Sequence, residues 1–136
     1  MANTFKLRIA TLDGQIFDGE AEKLLVRTID GDICILPGHI SYVTALGMGE
    51  ARVYVNGEVK RAACIGGLLT VSKDEVRLVP TTFEWAENID RERAERARAA
   101  AEQALKERAD RSNYEITAAE ARLKRALVRS SVAKYL

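Results

Sequence analysis

Cysteine and histidine are nearly absent from this chain. Only Cys34, Cys64 and His39 occur among 136 residues. The two cysteines are flanked by apolar residues and lack the paired spacing of a zinc site or a disulfide framework, so both are expected as buried free thiols. His39, in LPGHI, has no Cys or Ser nucleophile at a suggestive spacing. General base work also needs a group that orients the ring, and a structural place in a Pro-Gly turn is the expectation. Long apolar runs are missing too. None approaches the roughly 18 residues of a membrane span, and MANTFKLRIA lacks the continuous apolar core of a signal peptide. The expectation is an intracellular chain, mature over its whole length, with no direct membrane insertion. There is no GxxxxGK(S/T) phosphate loop, no GxSxG elbow, no HExxH and no strand-bound GxGxxG. IGGLL has two glycines but no following helix to aim a dipole at phosphate, which leaves a strand bend or bulge as its reading. Catalysis by this chain alone is not expected.

What is present describes a folded chain. Hydrophobic residues make up 47% and charged residues 30%, a balance without the signature of disorder. The length suits one domain, or a compact domain with an appendage. Formal net charge is +1, but it is unevenly placed. Residues 1–84 hold 9 Lys/Arg against 11 Asp/Glu, and residues 85–136 hold 12 against 9. After Glu120 there are five basic residues and no acid, so the basic end is a candidate surface for an acidic partner.

Two periodicities divide the chain. Through residues 1–84, short β-branched or aromatic runs alternate with turn chemistry, and FKLRI and ARVYV alternate apolar with polar in the period-2 pattern of half-buried strands. Asn56-Gly57 between two such runs is a type I′ hairpin signal. Several short strands at this spacing indicate a sandwich or barrel. Residues 85–136 change period. From Ile89 to Ala109 there is no Gly, Pro, Val or Thr, and the recurring alanines favour helix. Asn88 is the expected cap, with Asp90 and Glu92 in a first turn that favours negative charge. The first helix is expected to stop near DRSN. Ser112 with Glu115 then forms a capping box for an antiparallel second helix reaching about Lys134.

Helical geometry, at about 100° per residue, groups Ala94, Ala97, Ala101, Ala104 and Leu105 on one arc. Ile116, Ala119, Leu123, Ala126, Leu127 and Ser130 share an arc of the second helix. Small residues on facing stripes bury little area, each methyl contributing roughly 0.8 kcal/mol, so a marginal, separable hairpin is expected. By the same count Asp90 falls on the alanine arc with Arg93 at its edge, and Arg122, Arg125 and Arg129 cluster beside the apolar stripe of the second helix. Such arginines suit phosphate, whose oxygens accept bidentate bonds. The plainer reading stays open: Asp90 favours the helix dipole, and Glu92 with Arg96 or Glu102 with Lys106 are ordinary i,i+4 pairs.

The run GDICILPGHISYVTALGMGEARV resembles the signature of the epsilon subunit of F-type ATP synthase. RAACIGGLLTVSKDEVRLV and LKRALVRSSVA resemble the family's later glycine-glycine strand and its terminal helix, so the likeness covers nearly the whole chain in order. It implies a ten-stranded N-terminal β-sandwich over 1–84, binding the gamma subunit and the c-subunit ring, and a C-terminal helix-turn-helix over 85–136. It implies a non-catalytic stalk subunit, peripheral on the cytoplasmic face of the bacterial plasma membrane, with no cofactor required. Asp32 and residues 36–39, including His39, become c-ring-facing candidates.

In the family, an extended hairpin reaches along gamma into the catalytic head and impedes ATP hydrolysis. Arg122, Lys124, Arg125 and Arg129 are the implied contacts with an acidic segment of the catalytic beta subunit, beside its alpha neighbours. Some bacterial members bind ATP in the folded hairpin through I/L-D-x-x-R-A, matched here from Ile89 through Asp90 and Arg93 to Ala94. Glu84, Arg125 and Arg129 match further positions, but Ala100 stands where such members carry another arginine. Three readings therefore arise: a stalk brake, an ATP-sensing regulatory subunit, and a β-sandwich adaptor with a basic helix for nucleic acid. The last is disfavoured, because the first helix interleaves bases with acids and lacks stacking aromatics.

Overall fold

The computed structural model describes residues 3–107 and 113–133. They group into two compact units, Met1–Trp85 and Ala86–Leu136. In the first, the strands are β1 (Phe5–Thr11), β2 (Gly14–Ala21), β3 (Lys23–Thr28), β4 (Gly31–Ile35), β5 (Tyr42–Ala45), β6 (Met48–Val55), β7 (Glu58–Val71) and β8 (Val76–Trp85). Period-2 alternation positions the core. Leu7 and Ile9 of β1, Leu24 and Val26 of β3, and Leu69 and Leu78 of β7 and β8 are fully buried, while Lys6, Arg27 and Arg77 between or beside them face outward. Burial of each such aliphatic side chain contributes roughly 1.5–3 kcal/mol. Cys64 is buried in this core, and desolvation pushes its thiol up to about 12. Cys34 is half-buried rather than fully so.

Hydrogen bonding runs β2-β1-β8-β7-β6-β3-β4, with β5 also on β7. Asn56 and Gly57 both take positive φ, at 52° and 78°, the turn that lets β6 fold back on β7. The pairing of β7 then changes along its length. Its first part, Glu58 to Ile65, pairs with β6, and its last part, Leu68 to Val71, pairs with β5. Between them Leu46 N–H donates to the Gly67 carbonyl at 2.9 Å and Gly66 N–H to the Gly47 carbonyl at 3.0 Å. Residues 42–55 therefore follow β7 as one interrupted strand, bending where β7 bends.

Across β7, β8 makes the same passage. Its Val76 to Leu78 end lies beside β1 in parallel, while its far end, Thr82 to Trp85, faces Ile65 to Ala62. The pairings thus define two layers, one holding β2, β1 and β5, the other β6, β3 and β4, with β7 and β8 passing through both. Among the described residues this corrects the expected ten strands to eight. The difference lies in the corner, because β7 and β8 each cross it as one continuous strand instead of breaking into two.

The second unit opens with a single 3-10 turn, Ala86–Asn88, followed by α1 (Arg91–Lys106) and α2 (Asn113–Ala133). The buried alanines, Ala94 and Ala101 on α1 and Ala119, Ala126 and Ala133 on α2, recur at heptad spacing, which keeps them on one narrow stripe of each helix. Ala97 and Leu127, expected on these arcs, are exposed. One lies at the stripe's edge and the other about 100° round from Ala126, too far for so thin a line of contact to cover. The first helix, expected to stop near DRSN, closes earlier, at Lys106 with Glu107 as its C-cap, while the Ser112 cap and the terminus near Lys134 lie outside the described residues.

Gly67 fixes the corner. Its φ is +104°, and a Cβ there would lie 2.2 Å from the Val79 carbonyl oxygen and 2.5 Å from Pro80 Cα. Gly57, also at positive φ, has nothing within 4 Å of such a Cβ. Gly67→Ala is expected to lower stability in urea unfolding by about 2 kcal/mol or more, and Gly57→Ala by only about 1 kcal/mol. Equal losses would contradict a steric corner.

Candidate functional site

The helical unit begins with a cap. Asp90 has φ −78° and ψ 103°, and its carboxylate accepts the Arg93 backbone N–H at 3.0 Å. It satisfies one of the unpaired donors at the helix start. The expected cap, Asn88, instead closes the preceding 3-10 turn. Asp90 also leaves the alanine arc on which the angular count put it: it is exposed, and a cap residue with extended backbone does not follow the 100° rotation. Ile89 is buried, and its N–H donates to the Ala86 carbonyl at 3.3 Å. Ala94 is buried one turn later, with Arg93 exposed beside it.

On α1 the charges form a ladder. Glu92 takes Arg96 at 3.8 Å, and Glu102 takes Arg98 at 2.7 Å; Arg98 also holds Glu95. The Ser130 hydroxyl donates to Glu95 across the hairpin at 3.4 Å, so the end of α2 lies beside the start of α1. With this contact as register, Arg129 is level with Arg96, and Arg125 with Ala100. Arg93 is one turn, roughly 4.5 Å of rise, from the level of Arg129. Arg122 and Lys124 are exposed, while Arg125 and Arg129 are half-buried. Ala100 is exposed, so the position without a guanidinium is open along its length. Glu84 belongs to the first unit, on β8, half-buried and registered with Ala63.

The sandwich holds the other candidates. Asp32 on β4 faces Arg27 on β3 across a two-residue turn, and Arg27 donates twice to its carboxylate, Nε to Oδ1 at 2.6 Å and Nη2 to Oδ2 at 3.3 Å. Hydrogen bonding to Arg27 is the main cause that holds the Asp32 carboxyl below its ordinary value; desolvation opposes it, and the charges of Arg27 and Arg52 add to it. His39 lies in the loop after β4. Its backbone N–H donates to the Leu36 carbonyl at 3.2 Å, its Nδ1 lies 2.9 Å from the Ile40 carbonyl, and its ring tilts toward Tyr42. Around it Leu36, Ile40 and Val43 are exposed. Among the described residues no group of His, Cys, Asp and Glu could hold a metal ion, and no helix is long and apolar enough to cross a membrane.

Comparison with known proteins gives these features a family. Residues 4–86 match the beta-sandwich domain of the ATP synthase delta/epsilon chain, and residues 87–134 match its long alpha-helix domain. The chain belongs to the ATP synthase delta/epsilon family. An ATP synthase epsilon chain of Bacillus velezensis is 42% identical over 130 residues, covering 96% of this chain and 97% of that one. That of Ruminococcus albus is 39% identical over 130 residues, covering 95% and 96%. Among solved structures, a chain of the Euglena gracilis mitochondrial ATP synthase aligns with TM-score 0.83 at 20% identity, over 98% of this chain and 82% of that one. A chain from the central stalk and c-ring of the Tetrahymena thermophila enzyme aligns at TM-score 0.62 and 14% identity, over 95% and 96%. At such identities these two likenesses speak for the fold alone.

Within this epsilon-family frame, two roles escape a reading by residue type. The cap at Asp90 depends on where the helix starts, which neighbouring Asn88 and Asp90 leave ambiguous. The Arg27–Asp32 pair depends on the β3–β4 register, whose signal is the short turn at Ile29-Asp30 between two β-rich runs.

Proposed function

We propose that this epsilon-family chain acts as a non-catalytic subunit of the central stalk of an F-type ATP synthase, and as a brake on ATP hydrolysis through its helical hairpin. Its partners on this reading are the gamma subunit and the c-subunit ring for the sandwich, and the catalytic beta and alpha subunits for the extended hairpin. The complex would place it peripherally at the cytoplasmic face of the bacterial plasma membrane. The observation that supports the brake most is the thin alanine stripe beneath α1 and α2, where Ala94, Ala101, Ala119 and Ala126 are buried. A helical unit whose buried side chains are mostly alanine methyls, with Val132 the larger one on α2, loses little on separation, so a partner with modest preference for one arrangement can shift the population. Arg122, Lys124, Arg125 and Arg129 supply a basic stretch of α2 for an acidic segment of the beta subunit. Asp32, His39 and the exposed apolar side chains around that histidine supply the ring-facing surface.

A second reading has its own support. Ile89, Asp90, Arg93 and Ala94 match the nucleotide motif, Glu84 and the arginines at 125 and 129 match further positions, and the hairpin register brings Arg93 within a turn of the level of Arg129. On this reading the folded hairpin takes ATP as a regulatory ligand, its phosphates held by guanidiniums. Ala100 weakens such a site, since one missing charge-assisted bond costs about 1.5–3 kcal/mol. The level shared by Arg96 and Arg129 offers a partial replacement.

Removing residues 88–136 from the assembled complex is expected to raise ATP hydrolysis and leave assembly unchanged; hydrolysis equal to that of the intact complex would count against the brake. Titration calorimetry of the full chain with ATP tests the second reading. Binding weakened about ten- to a hundredfold relative to an Ala100→Arg variant, and abolished by Arg93→Ala, is expected. Asp90→Asn, which can still cap, separates a lost ligand charge from a lost helix start. No heat with either the native chain or Ala100→Arg at millimolar ATP would remove the reading.

A further inference from the structure

Asp32 is not a free surface carboxylate. Both its oxygens are engaged by Arg27, at 2.6 and 3.3 Å, from the adjacent strand. The turn joining the two strands is itself locked: the Thr28 hydroxyl donates to the Gly31 carbonyl at 2.7 Å and accepts the Asp30 N–H at 3.1 Å. Room for the Arg27 stem comes from a third strand. Between the Leu24–Val53 pair and the Thr28–Leu46 bridge, β3 advances from 24 to 28 while the facing chain advances from 46 to 53. The extra residues bulge past Arg27. Gly49 sits in that bulge, where a Cβ would lie 2.6 Å from Arg27 Cβ and 3.0 Å from its Cγ.

We infer that Arg27 is a positioning residue, holding the Asp32 carboxylate in one orientation for a hydrogen-bond donor of the ring-facing partner, and that Gly49 makes this posture possible. The inference rests on the proposed contact of Asp32 with the c-subunit ring. A carboxylate oxygen that accepts one bond keeps a second lone pair, so the fork of Arg27 fixes the group without saturating it. Fixing it in advance removes the ordering cost that a mobile side chain bears on binding, roughly two- to tenfold in affinity. Arg27 is thus joined to the docking surface through Asp32.

The test uses full-length chain titrated against a purified subcomplex of gamma and c ring, with Arg27→Gln, Asp32→Ala and the double variant. Arg27→Gln keeps the stem beside Gly49 and removes the charged fork. About a two- to tenfold loss is expected from Arg27→Gln, and the double variant should bind no more weakly than Asp32→Ala alone. Gly49→Ala, which displaces the stem but keeps both charges, should reproduce the loss. Urea midpoints of the unbound variants separate docking from folding. Binding by Arg27→Gln as tight as the native chain, with Asp32→Ala weakened, would overturn positioning and leave the ring contact intact. Additive losses in the double variant would also overturn it. Native affinity in Asp32→Ala would remove the ring-contact reading itself, and the inference with it.

Discussion

The corner through which β7 and β8 pass is the constraint on which the sandwich depends. A single hairpin, turning at Asn56-Gly57, contributes to both layers because its two arms bend together at Gly47 and at Gly66-Gly67. On the side of residues 42–55 the Leu46–Gly67 and Gly66–Gly47 bonds carry the ladder through the bend. The bend brings β1 and β3, which lie on either side of the β8-β7-β6 run, over one another, so that Leu7 and Leu24 share one core. Backbone that approaches the Val79 carbonyl this closely requires a residue with no Cβ.

The two units differ in what holds them. The sandwich buries Leu, Ile and Val side chains from both layers and closes its hydrogen bonds through eight strands. The helical unit relies on an alanine stripe, an N-cap at Asp90 and a ladder of solvent-facing ion pairs, which water screens and which therefore contribute little. The smaller side chains buried in the helical unit make it the less stable of the two on this account. This difference is also what a regulated appendage on a fixed base requires, since only the weaker unit can change its arrangement without unfolding the anchor.

Much of this was legible in order along the chain. Alternation in FKLRI and ARVYV identifies inward positions, Asn56-Gly57 marks the hairpin, and the glycine pair of IGGLL marks a bend. The count of ten strands belongs to the family likeness and not to the residues, and eight are described because β7 and β8 each pass the glycine bend unbroken. The Asp90 placement failed because angular counting assumes helix from the first residue counted, whereas a cap residue is extended. Ala97 and Leu127 were assigned to buried arcs because periodicity gives direction and not contact width. The partner of Arg27 is set by register across the Ile29-Asp30 turn, so it follows from the turn's length and not from the residue types alone. The family likeness supplied candidate residues at 32, 84, 90, 93, 125 and 129, but residue matching cannot say which neighbours hold each side chain.

The central claim is that a stable sandwich carries a marginal, separable helical hairpin. Native-state hydrogen exchange on the full chain measures this directly. The account predicts that amides of α1 and α2 around Ala101 and Ala126 exchange through openings far smaller than global unfolding, while those of Leu7, Leu69 and Leu78 exchange only with the whole sandwich. Equal protection of both sets, lost together in one cooperative step, would contradict it.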